Sequence, residues 1–297
     1  MNLVLSTIEQ GLIYAVLALG VYITYRRLNI ADMTVEGTFP LGGLFTAFLL
    51  LKDVNPVLAM VLTFLVGVIP GLVSALLSIK LNIIPLLAGI LTMTMLYSVN
   101  LRINGKPNVP FTKSDTIYDL LDTGNEYIDK IIILLIMVIF FKLLLDWFFS
   151  TKMGYMLTVT GDNEKLVYSL GEDPNKYKII GLGLANGFAA LSGSLFAQSV
   201  NFADTQMGVG TMVISLASII IGFTIFRNRE ISGTSRVIMG AIIYKIIGTI
   251  AIELGLNPND LKMINALIVV VFIAYNNSYE SIKAKLTGNK EWIYVRN

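Results

Sequence analysis

Carboxylates, amides and hydroxyls set inside long apolar runs carry the chemical capacity of this sequence, because His and Cys are absent from all 297 positions. Their absence removes disulfides, Cys- or His-ligated metal sites, thiol catalysis and any Ser-His-Asp arrangement. Glu36 lies in Thr34-Val35-Glu36-Gly37-Thr38-Phe39-Pro40, where Gly37 and Pro40 interrupt a helix and expose backbone groups to a cavity. An ionisable group inside an apolar span is costly enough to be a functional candidate, so Glu36, with Thr38, is a candidate for a solute pathway. The competing reading leaves Glu36 and Asp32 at the inner surface, paired with Arg26 or Arg27.

Two further polar groups share this ambiguity. Thr94, Tyr97 and Ser98 fall on one helical face at i, i+3 and i+4, with Met93 and Met95 as adaptable apolar neighbours. A polar stripe in lipid implies a polar partner, either another helix or a solute route. Asn186, Gln198 and Ser199 lie on or near a segment whose small residues pair four apart: Gly183 with Gly187, Ala189 with Gly193, Gly193 with Ala197. That spacing allows close backbone approach, so these amides either hold helices together or face a pathway. Glu9, Lys142 and Lys245 have stems long enough to snorkel.

These groups are carried by elements that need a membrane. Hydrophobic residues make up 55% of the chain and charged ones 14%, against about 45–50% and about 25% in ordinary soluble domains. The apolar stretches are long and continuous, so helices span, not a β-barrel. Nine stretches have the length, at residues 3–25, 31–51, 56–79, 82–103, 128–149, 177–199, 208–226, 235–253 and 258–275. The second carries Asp32, Glu36 and Pro40 in its first half and is expected to be broken or re-entrant. Arg26 and Arg27 follow the first run where a cleavable signal would have preceding charge, so that run reads as a retained span. The fold class is therefore an all-α integral membrane protein, one transmembrane domain over residues 1–280 with a short cytoplasmic tail at 281–297.

The distribution of cations orients it. With the N-terminus outside, fourteen of the 22 Lys and Arg fall on inner segments and six on outer ones. Residues 150–176 are then cytoplasmic and residues 104–127 form an outer loop that either caps a pore mouth or simply connects. With 22 basic against 20 acidic residues there is no nucleic-acid footprint.

The cytoplasmic segment has its own grammar. Thr160-Gly161-Asp162-Asn163 reads as turn and N-cap chemistry, residues 163–170 as a short helix with Leu166, Val167 and Leu170 on one face, and Gly171 as its stop before Asp173-Pro174. Such a helix either docks in a groove on another protein or lies on the bilayer.

The chain resembles the permease subunits of bacterial ABC importers in the branched-chain amino acid and ribose group. The residues that carry this are Thr151-Lys152-Met153-Gly154, Thr160-Gly161-Asp162-Asn163, Ser169-Leu170-Gly171, residues 187–195, Ala203-Asp204 and Met207-Gly208 with Gly210, and more weakly Leu28-Asn29-Ile30-Ala31-Asp32 and Glu36-Gly37. The resemblance implies that the short helix is a coupling helix seated in an ATPase subunit through Gly161, Asp162, Asn163, Glu164, Leu166 and Gly171. Where the family usually has an arginine-rich stretch, this chain has Met156-Leu157-Thr158-Val159. It further implies a second permease copy, an extracellular solute-binding protein, and ATP with Mg used only by the partner ATPase. Residues 31–37 and Asn100-Leu101-Arg102-Ile103 resemble most a subgroup associated with tryptophan or tyrosine. The chain has no G-x-x-x-x-G-K-[ST] phosphate loop, so it is read as a transport subunit and not an enzyme. An H⁺- or Na⁺-coupled secondary transporter would lack that loop too, and Glu36 would be its plausible mid-membrane carboxylate.

Overall fold

The computed structural model describes residues 2–121, 123–227 and 229–255, with isolated positions beyond them. The chain forms α1 (Asn2–Tyr22, prolonged by a π-helical turn, Ile23–Arg27), α2 (Val35–Leu50), α3 (Pro56–Lys80), α4 (Pro85–Asn104), β1 (Asn108–Pro110), a 3-10 turn (Ile117–Leu120), α5 (Glu126–Ser150), α6 (Lys152–Asp162), α7 (Glu164–Ser169), α8 (Pro174–Val200), β2 (Phe202–Asp204), α9 (Thr211–Ile225) and α10 (Gly233–Glu253). Six of these are long and apolar enough to cross a membrane, while α2 and α9 are shorter. Eight of the nine expected spans fall on these helices. The ninth, 258–275, lies outside the described residues apart from isolated positions, so a count of nine is not established.

α1 and α8 form the centre and run antiparallel: Glu9 meets Ser199, the hydroxyl of Ser192 donates to the Ile13 carbonyl at 2.8 Å, and Gly20 abuts Ala185 and Phe188. The remaining helices sort onto this pair in a crossed manner. α2 and α3 pack on α8, whereas α9 and α10 pack on α1. Contacts Gly11–Ile242 and Thr7–Thr249 set α10 antiparallel to α1, and Gly222–Arg236 with Gly240–Ser218 set α9 antiparallel to α10. Hence α1-α2-α3 and α8-α9-α10 are two triplets of opposite direction, each resting on the first helix of the other, the arrangement of an inverted repeat.

Small residues make this possible. A β-carbon at Gly42 would collide with the Ala190 backbone, and one at Gly193 with the Phe39 carbonyl; with the lipid as apolar as the helices, close backbone contact is what holds them together. Gly193→Val should therefore lower stability by about 1–3 kcal/mol, the usual cost of overpacking, read as a fall in the thermal midpoint of the purified protein. A midpoint unchanged from wild type would show that the α2–α8 crossing can open.

At the end of the bundle that the cation distribution makes the outer one, β1 pairs antiparallel with β2 in the register Asn108↔Asp204, Val109↔Ala203, Pro110↔Phe202. The 3-10 turn buries Ile117 and Tyr118 against α8, the Tyr118 hydroxyl donating to the Leu195 carbonyl at 3.0 Å. Residues 108–110 and 117–120 are thus packed against the helix ends as parts of a cap, not of a loose connector. Glu9 does not snorkel: it is 5% exposed and accepts from the Ser199 hydroxyl. Lys142 pairs with Asp146 at 2.7 Å, and Lys245 lies 4.0 Å from the Tyr14 ring centre.

Candidate functional site

The two short helices begin inside the protein. After Arg27 the chain reverses through Asn29 at φ 55°, a left-handed conformation that Asn tolerates, and continues without helix to Thr34. Helix α2 then has 16 residues, a length of about 24 Å against a hydrocarbon core of about 30 Å. In the second triplet, Asn201 at φ 53° reverses the chain after α8, β2 follows, and residues 205–210 turn back beside α2. Met207 reaches Gly43, and Gly208 lies against the Glu36 carbonyl and Pro40. Helix α9 starts there, with 15 residues. The second expected span is therefore broken and not re-entrant: an unwound approach is followed by a short helix that runs parallel to α8, Thr38 meeting Asn186 and Thr46 meeting Ser194, and the approach to the seventh is unwound in the same way.

Each half-helix N-terminus meets a carboxylate. Asp32 Oδ1 accepts from the Thr34 N–H at 3.0 Å, just ahead of α2. Glu36 Oε1 accepts from the Met212 N–H at 3.4 Å in the first turn of α9. Free N–H groups and the helix dipole favour negative charge at this end. Neither carboxylate pairs with Arg26 or Arg27, whose guanidinia stack on Phe223, Tyr22 and Phe149; the inner-surface reading of Asp32 and Glu36 is thus not what the fold shows.

A polar lock joins this junction to α8. Asn186 Nδ2 donates to Asp32 Oδ2 at 2.7 Å and to the Leu182 carbonyl at 2.9 Å, and its Oδ1 accepts from the Thr38 hydroxyl at 2.7 Å. All three groups are fully buried, and both amide protons and the carbonyl oxygen of Asn186 are engaged within the chain. Asn186 lies 12 residues into α8, about 18 Å from its start, which places the lock near mid-depth. Glu36 is only half-buried and remains the carboxylate with an accessible side.

The other sequence candidates lie elsewhere. Thr94, Tyr97 and Ser98 do share one face of α4, but it points away from the junction and is exposed on this chain; Thr92 and Asn100 face α2 instead, Asn100 Nδ2 donating to the Gly37 carbonyl at 3.1 Å. Gln198 holds the outer cap, accepting from the Ile117 N–H at 2.8 Å and donating to Ser194 at 3.1 Å. It lines an outer cavity of about 530 Å³ with Tyr118, Asp129 and Lys130. A second, apolar groove of about 340 Å³ between α3, α5 and α8 is walled by Phe64, Phe141, Phe188, Met60 and Met137.

At the inner end, α6 and α7 form a two-helix elbow. The expected turn at residues 160–162 is helical, the end of α6, because Gly161 packs on the backbone of Arg27 and Leu28 and keeps the helix seated. Asn163 is the N-cap of α7, its Oδ1 accepting from the Leu166 N–H at 3.2 Å, and Gly171 at φ 77° follows its end. Leu166, Val167 and Leu170 do not share one face: Val167 is fully buried, whereas Leu166 and Leu170 are 46% and 55% exposed beside Tyr168. Asp162 is exposed. Glu164 is paired with Lys178 at 2.7 Å, fixing α7 to the foot of α8. The exposed pair Lys152–Glu172, at 2.8 Å, braces the elbow; the hydrogen bond from Lys152 holds the Glu172 carboxyl below its usual range and that from Glu172 lifts Lys152. So exposed a pair adds little stability.

Residues 3–274 match the family described as the permease component of branched-chain amino acid transport systems. The chain belongs to this permease family. It is 42% identical over 284 residues to the tyrosine transport system permease protein of Clostridioides difficile, covering 95% of this chain and 94% of the relative. More distant are the ribose import permease protein of Escherichia coli, 22% identical with 93% and 86% covered, and the probable branched-chain amino acid transport permease protein of Methanocaldococcus jannaschii, 26% identical with 76% and 75% covered. No solved structure matches the chain. This permease carries its two half-helices at corresponding places of the two triplets, the feature by which transporter folds mark a binding region.

The residues that sequence reasoning missed are Met212, which receives Glu36, and Asp32 as the partner of Asn186. One signal was available: residues 31–51 and 208–226 were both interrupted at their starts by Gly, Pro or acidic residues, and interrupted apolar segments in corresponding halves point to a site.

Proposed function

We propose that this permease is the membrane subunit of an ATP-driven importer in a bacterial plasma membrane, moving an amino acid with an aromatic side chain. The observation that carries it is the family match along nearly the whole chain, joined to the 42% identity with a tyrosine system permease. The apolar, phenylalanine-walled groove between α3, α5 and α8 has the character and size to pass an aromatic ring. A second copy covers part of the exposed apolar surface of α3, α4 and α5, and a solute-binding protein delivers ligand to the capped outer end. ATPase subunits bind at the α6–α7 elbow and consume ATP and Mg there. Their closure moves the elbow, which is tied to α8 by Glu164–Lys178 and to the end of α1 by Gly161; the shift reaches the half-helix junction and changes the side to which it opens.

Purification with and without the ATPase tests this. Tyrosine-linked ATP hydrolysis by the reconstituted complex is the expected result. Uptake that persists without the ATPase and collapses with the H⁺ or Na⁺ gradient would overturn it.

Leu166 and Leu170 offer a narrower test. Each buries an apolar side chain worth about 1.5–3 kcal/mol on docking, so Leu166→Ala with Leu170→Ala should weaken ATPase association by well over about tenfold while the permease still inserts. Retention of the ATPase at wild-type affinity would assign that face to the bilayer surface.

A further inference from the structure

Arg26 and Arg27 close the inner end of α1, and Arg236 lies in the first turn of α10. None of the three meets a carboxylate: among the described residues the ion pairs within 4 Å are Lys130–Glu126, Lys142–Asp146, Lys152–Glu172 and Lys178–Glu164. The three instead crown one aromatic cluster. Tyr22 stacks on Phe223 with ring centres 5.9 Å apart and meets Phe149 edge-on at 5.9 Å. Arg26 and Arg236 both stand over Phe223, at 5.1 and 5.4 Å, while Arg27 stands over Phe149 at 4.8 Å and Tyr22 at 5.2 Å.

Cation–π contact orients these guanidinia without using up their N–H groups, although the Tyr22 hydroxyl takes one hydrogen bond from Arg27. Arg236 Nη2 donates to the Arg229 carbonyl at 2.8 Å, yet Nε of both Arg27 and Arg236 is buried without an acceptor. Asp146, the carboxylate beside Tyr22, is already occupied by Lys142 at 2.7 Å and by the Thr234 hydroxyl at 2.5 Å. Like charges converging on one ring repel unless an anion joins them, and planar forks with unfilled donors match an oxyanion that offers several acceptors.

We propose that this cluster binds the phosphate of an anionic phospholipid headgroup in the inner leaflet. The surroundings select the lipid as its source. Tyr25, Ile225 and Trp147, at the same helix ends as the stacked residues, are 36%, 49% and 68% exposed, apolar and amphipathic side chains of the kind that lie at a membrane interface. Basic pockets between helix ends on this side suit phospholipid headgroups. The chain's own tail is no substitute, because residues 281–297 carry four basic side chains and one acidic.

The test uses the full-length permease, stripped of lipid in detergent and titrated with phosphatidylglycerol or phosphatidylcholine while bound lipid is counted by native mass spectrometry. Phosphatidylglycerol should bind with clear preference, and Arg26→Gln with Arg236→Gln should weaken it by about tenfold or more, as loss of charge-assisted contacts implies. Lys80→Gln with Lys176→Gln removes the same charge from the same end of the molecule and should leave the preference intact. Equal weakening by that control would overturn the proposal in favour of diffuse attraction. Displacement of the lipid by millimolar inorganic phosphate would assign the site to a soluble anion and overturn the lipid source. Loss of ATPase co-purification with lipid binding unchanged would assign the cluster to the protein partner. Should the glutamine pair fail to accumulate, Arg26→Lys with Arg236→Lys keeps the charge and removes the fork; several-fold weaker binding is expected, and wild-type binding would overturn the proposal.

Discussion

Replacement of Glu36 by glutamine is expected to cut solute uptake by about tenfold or more while leaving membrane insertion and ATPase binding at wild-type levels. The side chain sits on α2 but its carboxylate faces the first turn of α9 through the Met212 N–H, so it bridges the starts of both half-helices. A negative charge at a partly buried helix N-terminus is worth up to about 2 kcal/mol, and each 1.36 kcal/mol is about tenfold in a rate. Glutamine keeps the shape and loses the charge, so the effect isolates electrostatics. Because the proposed alternation would separate or rejoin these helix ends, the loss should show in the maximal uptake rate of proteoliposomes and not in the amount of assembled complex. Uptake at the wild-type rate would reduce Glu36 to a structural contact between α2 and α9.

The second large effect concerns stability. Asn186→Leu removes a side-chain donor to the buried Asp32 carboxyl and the acceptor of the Thr38 hydroxyl. Leaving a buried polar group without its partner costs about 1–3 kcal/mol, so the variant, which orphans two, should unfold at markedly lower temperature or denaturant. The companion measurement is the pair Asp32→Leu with Asn186→Leu. Replacing both partners of a buried polar contact by apolar groups is far less costly than orphaning one, and the double variant should recover a large part of the loss. A single variant within about 0.5 kcal/mol of wild type, the range of an ordinary surface substitution, would show that Asp32 finds another partner.

Glu36 and Asn186 also show where sequence reasoning stops. Both are recognisable from type alone, a carboxylate beside a Gly and a Pro and an amide within a small-residue stripe, although Gly37 and Pro40 do not interrupt a helix as expected: α2 runs through both, and the break lies ahead of it at residues 28–34. Their roles are not. Asn186 hydrogen-bonds Asp32, Leu182 and Thr38, which no local pattern encodes, since Asp32 and Thr38 lie 154 and 148 residues away. The stripe of Thr94, Tyr97 and Ser98 illustrates the converse: its periodicity is correct, but which neighbour a helical face meets depends on the angle at which α4 crosses α2. On α7 the apolar residues were identified correctly and their facing was not, because six residues make fewer than two turns and the buried side is decided by the seat of Val167.

Membrane residence, the helical class and the positions of eight apolar segments were determined by the sequence alone, since desolvating a backbone in lipid permits little besides helices and leaves long apolar runs as their mark. The carboxylates, the short helix α7 and the interruption ahead of α2 were legible for the same reason, as each departs from that mark. The crossing of the two triplets, the matching half-helix starts and the meeting of Glu36 with Met212 were decided only in three dimensions. Glycine permits close approach but does not name the surface approached; that choice is made by the packing of α1 against α8, on which every other pairing at the junction depends.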